Sequence, residues 1–358
     1  MRKLASIIFL MLFHRMAFSQ TWTQIGQDID GIGPGDECGW SVSFSSSGNR
    51  LALSSPADSS DRGNVRVYEW DGVSWIQIGQ TLFGSGAFDF FGGSVSFSSD
   101  GNRLAIGAGG YDANGNNAGL TRVVEWNGNS WIQLGNAIGG EAAGDESGSA
   151  VSISSDGGRI AIGALYNDNA NGSNAGHVRV YEWDGNSWGQ VGQDIDGLGD
   201  DDLSGRAVSM SSDGNRVAVG SPLASNYRGN VCIYDWNGTS WIPLGNPIIG
   251  EAPGDESGYS VSISANGNRV VIGAPRNDAV GSPAPGGAKG HVRVYNWNGT
   301  GWVQLGQDID GESVGDFLGV SVSISANGNR VATGAPQHDA NILDEGHVRV
   351  YDWNGISW

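Results

Sequence analysis

The sequence predicts an all-β fold, a β-propeller of four-stranded antiparallel blades, and three observations lead to it. A unit of strand-length runs recurs six times along the 358 residues. Each run alternates apolar and polar residues and is bounded by glycine-rich turns, the pattern of half-buried strands and hairpins. A tryptophan opens the last strand of each unit at spacings of 53, 56, 57, 53, 61 and 56 residues, a period typical of propeller repeats. These tryptophans are Trp22, Trp75, Trp131, Trp188, Trp241, Trp302 and Trp358.

Each unit contains four strands in a fixed order. In the third unit, V-S-I-S at 151–154 predicts the first strand, and a Ser-Asp-Gly turn leads to the second, R-I-A-I-G at 159–163. After a variable loop, H-V-R-V-Y-E-W at 177–183 predicts the third strand. An Asp-Gly turn then joins it to the fourth, which opens with Trp188, so these two strands form a hairpin. Radial packing of such units covers both faces of each sheet and leaves only short edges.

The unit boundaries set the expected domain organisation. We expect one domain over residues 20–358, with units beginning near 22, 75, 131, 188, 241 and 302. The sequence begins inside a fourth strand and stops at the first residue of another. We therefore predict six repeats here, a truncated C-terminus and seven blades in the full-length chain. The alternative is a six-bladed ring closed by residues 22–29. Those residues are expected to pair with the last third strand, near 348–353.

The first 19 residues have the features of a secretory signal peptide. They open with Arg2 and Lys3, continue with an apolar run at 5–13, and end with small residues, so cleavage is predicted before Gln20. The apolar run is too short to span a bilayer, although a retained anchor is the alternative. We expect a secreted or cell-surface protein with no transmembrane segment in the mature chain.

Composition excludes some partners. The formal net charge is −19, and removal of residues 1–19 leaves 16 basic against 38 acidic residues, or −22. Such a surface repels nucleic acid and anionic lipid and attracts cations. Cys38 and Cys232 are the only cysteines in the sequence, and they lie in units one and four. Blades so far apart hold them beyond disulfide reach, so both are predicted to be free thiols.

Three motifs, each with variants, recur along the units in the order G-x-S-V-S-x-S, G-A-P and G-x-V-x-V-Y. Over residues 22–358 this run resembles the FG-GAP repeat of integrin α-subunit propellers and their bacterial relatives, with Phe91-Gly92 and Leu318-Gly319 at the Phe-Gly position. The resemblance implies a propeller and, in integrin-like blades, a Ca²⁺ site in a D-x-D-x-D-G-x-x-D loop between strands one and two. Here that loop is a short turn such as 99–102, and one carboxylate cannot supply six to eight oxygens. The family calcium site is therefore not expected. This turn also resembles the Ser-Pro-Asp-Gly turns of another secreted and periplasmic propeller family.

Loop aspartates are the candidate ligand-binding residues. If the blades run as in the FG-GAP family, both sets lie on one face of the disc, where carboxylates can bind a divalent cation or a cationic or sugar ligand. Repetition in nearly every unit favours a structural role instead, in which each aspartate closes an Asx turn onto its own backbone. The first set precedes strand one and the second follows strand two: Asp36, Asp89, Asp145, Asp202, Asp255 and Asp316, then Asp112, Asp168, Asp278 and Asp339.

One acidic segment is the candidate metal site. Like charges so close in sequence repel one another unless they are solvated or neutralised by a cation. If Ca²⁺ binds anywhere it is expected there, with the weak affinity of extracellular sites, and no other cofactor is expected. A solvated acidic surface is the alternative. The candidate ligands are Asp194, Asp196, Asp200, Asp201 and Asp202.

No catalytic constellation stands apart from the repeat. His177, His291 and His347 occupy one repeated strand position, which favours packing or hydrogen bonding, whereas His338-Asp339 breaks the repeat. We therefore predict a non-enzyme. It is expected to be a binding or adhesion module for an extracellular protein or polysaccharide, as a monomer or as part of a larger multidomain chain. One alternative is a secreted polysaccharide hydrolase or lyase, and another is a purely structural surface or matrix component. The hydrolase would draw its acid and base from Asp36, Asp145, Asp255 and Asp339.

Repeated tryptophans and arginines are predicted to hold the blades. Of the fourteen tryptophans, seven begin fourth strands and six end third strands, which leaves Trp40 alone in a strand-one position. The thirteen repeated ones are expected to be largely buried between blades. One arginine per unit, such as Arg103 or Arg159, is expected to form an ion pair or a backbone hydrogen bond inside its blade.

Overall fold

The computed structural model describes residues 23–112, 114–278, 288–339 and 345–358, and it confirms the β-propeller. The chain forms six antiparallel sheets, one for each predicted unit, in which strands one, two and three pair in sequence order. In blades 1 to 5 the fourth strand is broken into two short pieces. Both pieces pair with the third strand, one at each end. Trp22, the first marker tryptophan, lies outside the described residues.

The strand bounds follow the repeat closely. Blade 1 contains β1 (Val42–Phe44), β2 (Arg50–Ser55), β3 (Asn64–Trp70), β4 (Trp75–Gln77) and β5 (Leu82–Phe83). Blade 2 contains β6 (Ser94–Phe97), β7 (Arg103–Ala108), β8 (Leu120–Trp126), β9 (Trp131–Gln133) and β10 (Ile138–Gly139). Blade 3 contains β11 (Ala150–Ile153), β12 (Arg159–Ala164), β13 (His177–Trp183), β14 (Trp188–Gln190) and β15 (Ile195–Asp196).

The second half of the chain repeats this order. Blade 4 contains β16 (Ala207–Met210), β17 (Arg216–Ser221), β18 (Asn230–Trp236), β19 (Trp241–Pro243) and β20 (Ile248–Ile249). Blade 5 contains β21 (Ser260–Ile263), β22 (Arg269–Ala274), β23 (His291–Trp297), β24 (Trp302–Gln304) and β25 (Ile309–Asp310). Blade 6 contains β26 (Ser321–Ile324), β27 (Arg330–Ala335) and β28 (His347–Asp352). Two four-residue turns, α1 (Asp58–Asp61) and α2 (Ala224–Tyr227), follow β2 and β17 and contain left-handed residues.

Serines of the V-S-I-S strands join neighbouring blades. The backbone N–H of Val151 in β11 donates to Oγ of Ser94 in β6 at 3.0 Å, and Ile153 donates to Ser96 at 3.2 Å. The alternate valine and isoleucine side chains point into the apolar layers between blades. The polar half of the pattern therefore satisfies the backbone groups of the next inner strand, and the apolar half supplies the core.

Tryptophan pairs hold each blade against the one before it. Trp183 and Trp188 face each other across the predicted hairpin, with ring centroids 5.4 Å apart. The indole N–H of Trp188 donates to the carbonyl of Leu134 in the preceding blade at 2.9 Å. Gly135 of that blade lies against the same ring pair. The predicted burial is confirmed for Trp75, Trp131 and Trp241, and the other repeated tryptophans that the structure describes are half-buried.

Five of the six repeated arginines form the predicted ion pairs, and Arg269 donates to the side-chain oxygen of Asn296 at 3.3 Å instead. Nε of Arg103 lies 2.9 Å from Oε1 of Glu125 on the neighbouring strand. Its Nη1 also donates to the carbonyl of Gly157 in the next blade at 3.1 Å, a contact that the sequence did not indicate. Both cysteines are free thiols, as predicted. No helix in the described part of the chain has the length and apolar character needed to cross a membrane.

The predicted pairing of residues 22–29 with β28 is wrong. Among the described residues, β28 pairs with β27 alone. The N-terminal segment packs on blade 1 instead. There Gly26 lies against the rings of Trp70 and Trp75, and Nε2 of Gln27 donates to the carbonyl of Trp75 at 3.0 Å. The physical reason is the contact between blades described above, in which the residues after each fourth-strand tryptophan cover the tryptophan pair of the following blade.

The terminal blades each leave apolar residues uncovered. In blade 1, Val42 and Phe44 of β1 are exposed, and in blade 6 Val348 and Val350 of β28 are exposed. The corresponding positions of the inner blades are mostly covered by a neighbouring blade. Within the part of the chain that the structure describes, residues 23–29 therefore pair with no strand of blade 6.

The second-strand glycine of one blade touches the glycine before strand one of the next blade. The glycine that opens strand one in blade 4, Gly205, places its carbonyl over the second-strand glycine of blade 3, Gly163. A Cβ on Gly163 would lie 2.1 Å from that oxygen, which is backbone and cannot rotate away. Neither glycine tolerates a side chain, because the two backbones touch.

Replacement of Gly163 by alanine is expected to destabilise the fold by about 1–3 kcal/mol, the usual cost of overpacking. Gly189 on β14 of the same blade has open space where a Cβ would stand, so Gly189→Ala is the matched control with a change within about 0.5 kcal/mol. Urea denaturation of the three proteins measures both values. Equal midpoints for the two variants would contradict the close backbone contact.

Candidate functional site

The loops before strand one and after strand two lie on the same side of the propeller, which we call the loop face. Antiparallel order places the start of strands one and three and the end of strands two and four together. Loops carried on a rigid sheet scaffold are the usual place for binding residues in such folds. Both sets of aspartates predicted from the sequence belong to this face.

The aspartates before strand one support the loops that carry them. Oδ2 of Asp36 accepts backbone N–H groups from Ile32 and Gly33, and its Oδ1 accepts that of Cys38. These bonds lower the pKa of Asp36 against the opposing effect of burial, which is the largest single influence on the carboxyl. Asp145 likewise accepts the N–H groups of Glu141 and Ala142. The same type of bond occurs at Asp89, Asp202, Asp255 and Asp316.

The residue after each of these aspartates adopts a left-handed backbone conformation. Glu146, for example, has φ of 51°, and its N–H donates to the carbonyl of Asn117 in the preceding blade at 3.0 Å. Non-glycine residues rarely adopt this conformation, and such strain is concentrated at binding and catalytic sites. Six residues share it, one per blade: Glu37, Phe90, Glu146, Leu203, Glu256 and Phe317.

Several of these residues line a cavity of about 420 Å³ on the loop face of blades 1 to 4, which we call the central cavity. Its volume falls within the range of about 300–1,000 Å³ typical of small-ligand pockets. Three exposed aromatic rings, two carboxyl groups and one guanidinium face it. The cavity residues that matter chemically are Glu37, Trp40, Phe90, Glu146, Tyr166 and Arg206.

The carboxyl group of Glu146 faces the central cavity. Glu146 is half-buried, its carboxylate accepts no hydrogen bond from the described residues, and its oxygens are not among the solvent-shielded atoms that lack a partner, so water can reach them. Burial raises its pKa, and the nearby positive charge of Arg206 partly offsets that rise. Arg206 also acts outside the cavity lining, where burial raises the pKa of Glu256 and the charges of Arg276 and Arg206 partly offset that rise. The Arg206 guanidinium itself lies 4.4 Å over the ring centroid of Tyr259.

The sequence predicted the correct loops. Within them it singled out the aspartates that support the loop backbone, and not the side chains that line the cavity. The aspartates and glycines of the D-x-x-G-x segment are constant, and their bonds hold the loop. The side chains that face the cavity occupy the variable positions between and after them. One position of the repeat shows this variation: the residue after the glycine is Trp40 in unit one and Arg206 in unit four. Such variation within an otherwise constant segment indicates the residues that line the cavity.

The second set of predicted aspartates lies after strand two. Asp112 accepts the backbone N–H of Asn117 at 2.8 Å, and Asp168 accepts that of Asn174 at 2.8 Å. Both therefore shape their own loops. Asp278 and Asp339 precede loop segments, 279–287 and 340–344, that lie outside the described residues.

The acidic segment predicted as a metal site is divided between two loops. Asp200 accepts the N–H of Ser173 at 3.0 Å, and Asp201 accepts the side-chain amide of Asn174 at 2.9 Å. Asp202 accepts the N–H of Leu198 within its own loop. Asp194 faces His177 instead, whereas Asp196 pairs as part of β15 and has its pKa raised by burial and by Asp194.

The repeated histidines lie in clusters with carboxylates. His177 is buried, with Nδ1 3.9 Å from Oδ2 of Asp194 and with Nε2 lacking a partner in the described part of the chain. Burial, helped by the charge of Arg179, lowers the pKa of His177 to about 4. Three clusters bring donor atoms within 4.8 Å of one another among the described residues: Glu141–His177–Asp194, Glu251–His291–Asp308 and Glu312–His338–His347.

The six repeated antiparallel blades and their loop face define the class of protein, a β-propeller with a loop-borne cavity. Residues 139–181 match the family model of the FG-GAP repeat. Those residues span the end of blade 2 and the first three strands of blade 3, including the V-S-I-S and G-H-V-R-V-Y segments. The chain fits an FG-GAP-type β-propeller, as the resemblance of its motifs implied.

Solved structures with the same fold are distant in sequence. Hydrazine synthase of Kuenenia stuttgartiensis aligns with a TM-score of 0.54 at 13% identity, covering 88% of this chain and 78% of that one. A putative 6-phosphogluconolactonase from Bacteroides uniformis aligns with a TM-score of 0.58 at 11% identity, covering 88% and 85%. Comparison with curated proteins found no match. Likeness at this level of identity concerns the fold alone.

Proposed function

We propose that this chain is a secreted or cell-surface, non-catalytic module that binds a polysaccharide in the central cavity. The observation that carries the proposal is the composition of that cavity. Exposed aromatic rings line it together with a guanidinium and a half-buried carboxyl group that accepts no hydrogen bond from the described residues. The signal-like residues 1–19 and the strongly acidic composition support an extracellular location.

A sugar ring matches this combination chemically. Its C–H faces are apolar and can cover an aromatic ring, and Trp40 is 65% exposed and free to be covered. Its hydroxyl groups are donors and can hydrogen-bond to the carboxylate of Glu146 in place of water. Such a placed polar group fixes the orientation of a ligand in its pocket. Arg206 can donate to neighbouring hydroxyl oxygens as a planar fork.

Trp40→Ala is expected to weaken binding of a β-1,4-linked glucose or N-acetylglucosamine hexasaccharide by about tenfold, the loss of a typical aromatic anchor. Isothermal titration calorimetry of the purified chain measures it. Tyr227 is the matched control because it is an exposed aromatic residue of the loop face that does not line the cavity. Tyr227→Ala should leave the affinity unchanged.

Two outcomes would overturn this proposal. The first is no measurable binding of either hexasaccharide to the unmodified chain. The second is an equal loss in the Trp40 and Tyr227 variants, which would place the ligand away from the cavity.

Polysaccharide hydrolysis is the second candidate function, and one observation favours it. Glu37 and Glu146 line the same cavity, and a carboxyl group whose pKa is raised by burial has the property required of a general acid. Binding is preferred because Asp36 and Asp145, the repeated carboxylates beside them, are engaged by their own backbone. Release of reducing ends by the unmodified chain, lost in Glu146→Gln, would establish hydrolysis instead.

A further inference from the structure

Blade 6 contains the only cluster with two histidines among the described residues. Glu312 comes from the loop before β26, His338 from the loop after β27, and His347 begins β28. Nε2 of His338 is 3.8 Å from Oε2 of Glu312, and the two imidazole rings are 4.0 Å apart between centroids. Two imidazoles so close repel each other when both are protonated, so the neutral form, whose nitrogen lone pair can bind a metal ion, is favoured.

The second carboxylate of the cluster orients one of these rings. Nδ1 of His338 lies 3.1 Å from Oδ1 of Asp316, whose side chain is 2% exposed. A proton on Nδ1, donated to Asp316, leaves the Nε2 lone pair facing Glu312. Metal-binding histidines are commonly fixed in this way, by a carboxylate that accepts from the nitrogen away from the metal.

The other ring has a nitrogen without a partner. Nε2 of His347 is shielded from solvent and has no hydrogen-bond partner among the described residues. Buried polar atoms in native structures nearly always have one, so an unmatched imidazole nitrogen indicates a missing ligand. Glu312 can take part because Arg349 contacts its Oε1, which leaves Oε2 directed at His338.

We propose that Glu312, His338 and His347 bind one divalent transition-metal ion of the Zn²⁺ type, with water in the remaining position. Two imidazole nitrogens and one carboxylate oxygen form a frequent Zn²⁺ ligand set. Calcium prefers oxygen ligands alone, so the same cluster selects against it. Tetrahedral bonds of about 2.0–2.2 Å place donor atoms about 3.4 Å apart, close to the 3.8 Å between His338 and Glu312.

Blades 3 and 5 show what the same positions do without the second histidine. Asn167 and Asn277 occupy the position of His338 in blade 6. In all three blades the backbone carbonyl of this residue accepts the backbone N–H of the glycine before strand three. His338→Asn therefore installs a residue that this loop already accommodates in two blades. His291→Asn changes the equivalent of His347 in blade 5, to the residue of Asn64 and Asn230 in blades 1 and 4.

Isothermal titration calorimetry of the EDTA-treated full chain with ZnCl₂ tests the site. We expect one Zn²⁺ per chain. Loss of a residue that only orients a ligand costs about 10–100-fold in affinity, so His338→Asn, which removes a ligand itself, should cost more than that. His291→Asn should bind as the unmodified chain does. Co²⁺ should give the intense visible absorption of a four-coordinate ion in the unmodified chain and not in His338→Asn.

The controls make a negative result decisive. Far-UV circular dichroism spectra in EDTA should coincide for His338→Asn and the unmodified chain and both should melt cooperatively, which excludes misfolding as the cause of lost binding. CaCl₂ should produce no heat at this site. Absence of Zn²⁺ binding to the unmodified chain, or retention of the same affinity in His338→Asn, would overturn the proposal. Both results are independent of whether a polysaccharide binds in the central cavity.

Discussion

Replacement of Trp241 by alanine is expected to lower the free energy of unfolding by about 3–5 kcal/mol, the usual cost of removing a buried aromatic side chain. The ring is 3% exposed and packs in the apolar layer between blades 3 and 4. Its indole N–H also donates to the carbonyl of Val191 in blade 3 at 2.9 Å, and Gly192 of that blade lies against the ring. The substitution therefore removes a blade contact, a hydrogen bond and a core side chain together.

Trp40 provides the control for the size of the residue removed. It is the one tryptophan outside the repeated positions and is 65% exposed, so Trp40→Ala should change stability by no more than about 0.5 kcal/mol. Trp188, which is half-buried, should give a value nearer the lower end of the range for Trp241. Denaturant unfolding followed by far-UV circular dichroism measures all three. A loss below about 1 kcal/mol for Trp241→Ala would show that the tryptophan contact between blades contributes little to stability.

The fold was predictable because every local signal agreed with the repeat. Strict alternation in V-S-I-S, the hairpin between Trp183 and Trp188, and the regular period each indicate one blade. The position of residues 23–29 on blade 1 was not predictable from strand pairing. It depends on which blade the Gly26 segment covers, and that is set by glycine packing on a tryptophan pair rather than by alternation.

The candidate sites were predictable only in part. The aspartates were assigned to the correct loops, but the side chains that line the cavity belong to neighbouring residues such as Glu146. Glu146 has a positive φ, and a positive φ at a non-glycine residue cannot be predicted from composition. The acidic run around Asp200 was divided because two of its carboxylates bind the loop of the preceding strand pair. His338 was recognised as a break in the repeat, yet its closeness to His347 depends on how the start of β28 pairs with the end of β27, where Ala335 lies opposite His347.

Acidification from pH 7.5 to pH 4.5 is expected to remove about 2–3 kcal/mol of stability through His177 alone. Its pKa is about 4 in the folded chain, below its ordinary value of 6.5, because the ring is buried and faces Arg179. Asp194 and Asp145 act in the opposite direction and do not overcome burial. Since the folded state takes up the proton less readily than the unfolded chain, the stabilisation is complete above pH 6.5 and is lost as the pH falls towards 4.

The variant His177→Asn isolates this contribution. Asparagine is tolerated there because Asn64 and Asn230 occupy the same position in blades 1 and 4. Other groups, including His291 with its own lowered pKa, titrate in both proteins and cancel in the difference between them. Urea denaturation in EDTA at several pH values should therefore give a stability difference that shifts by about 2–3 kcal/mol in favour of the variant as the pH falls from 7.5 to 4.5. Parallel pH profiles for the two proteins would show that His177 accepts its proton as readily in the folded chain as in the unfolded one.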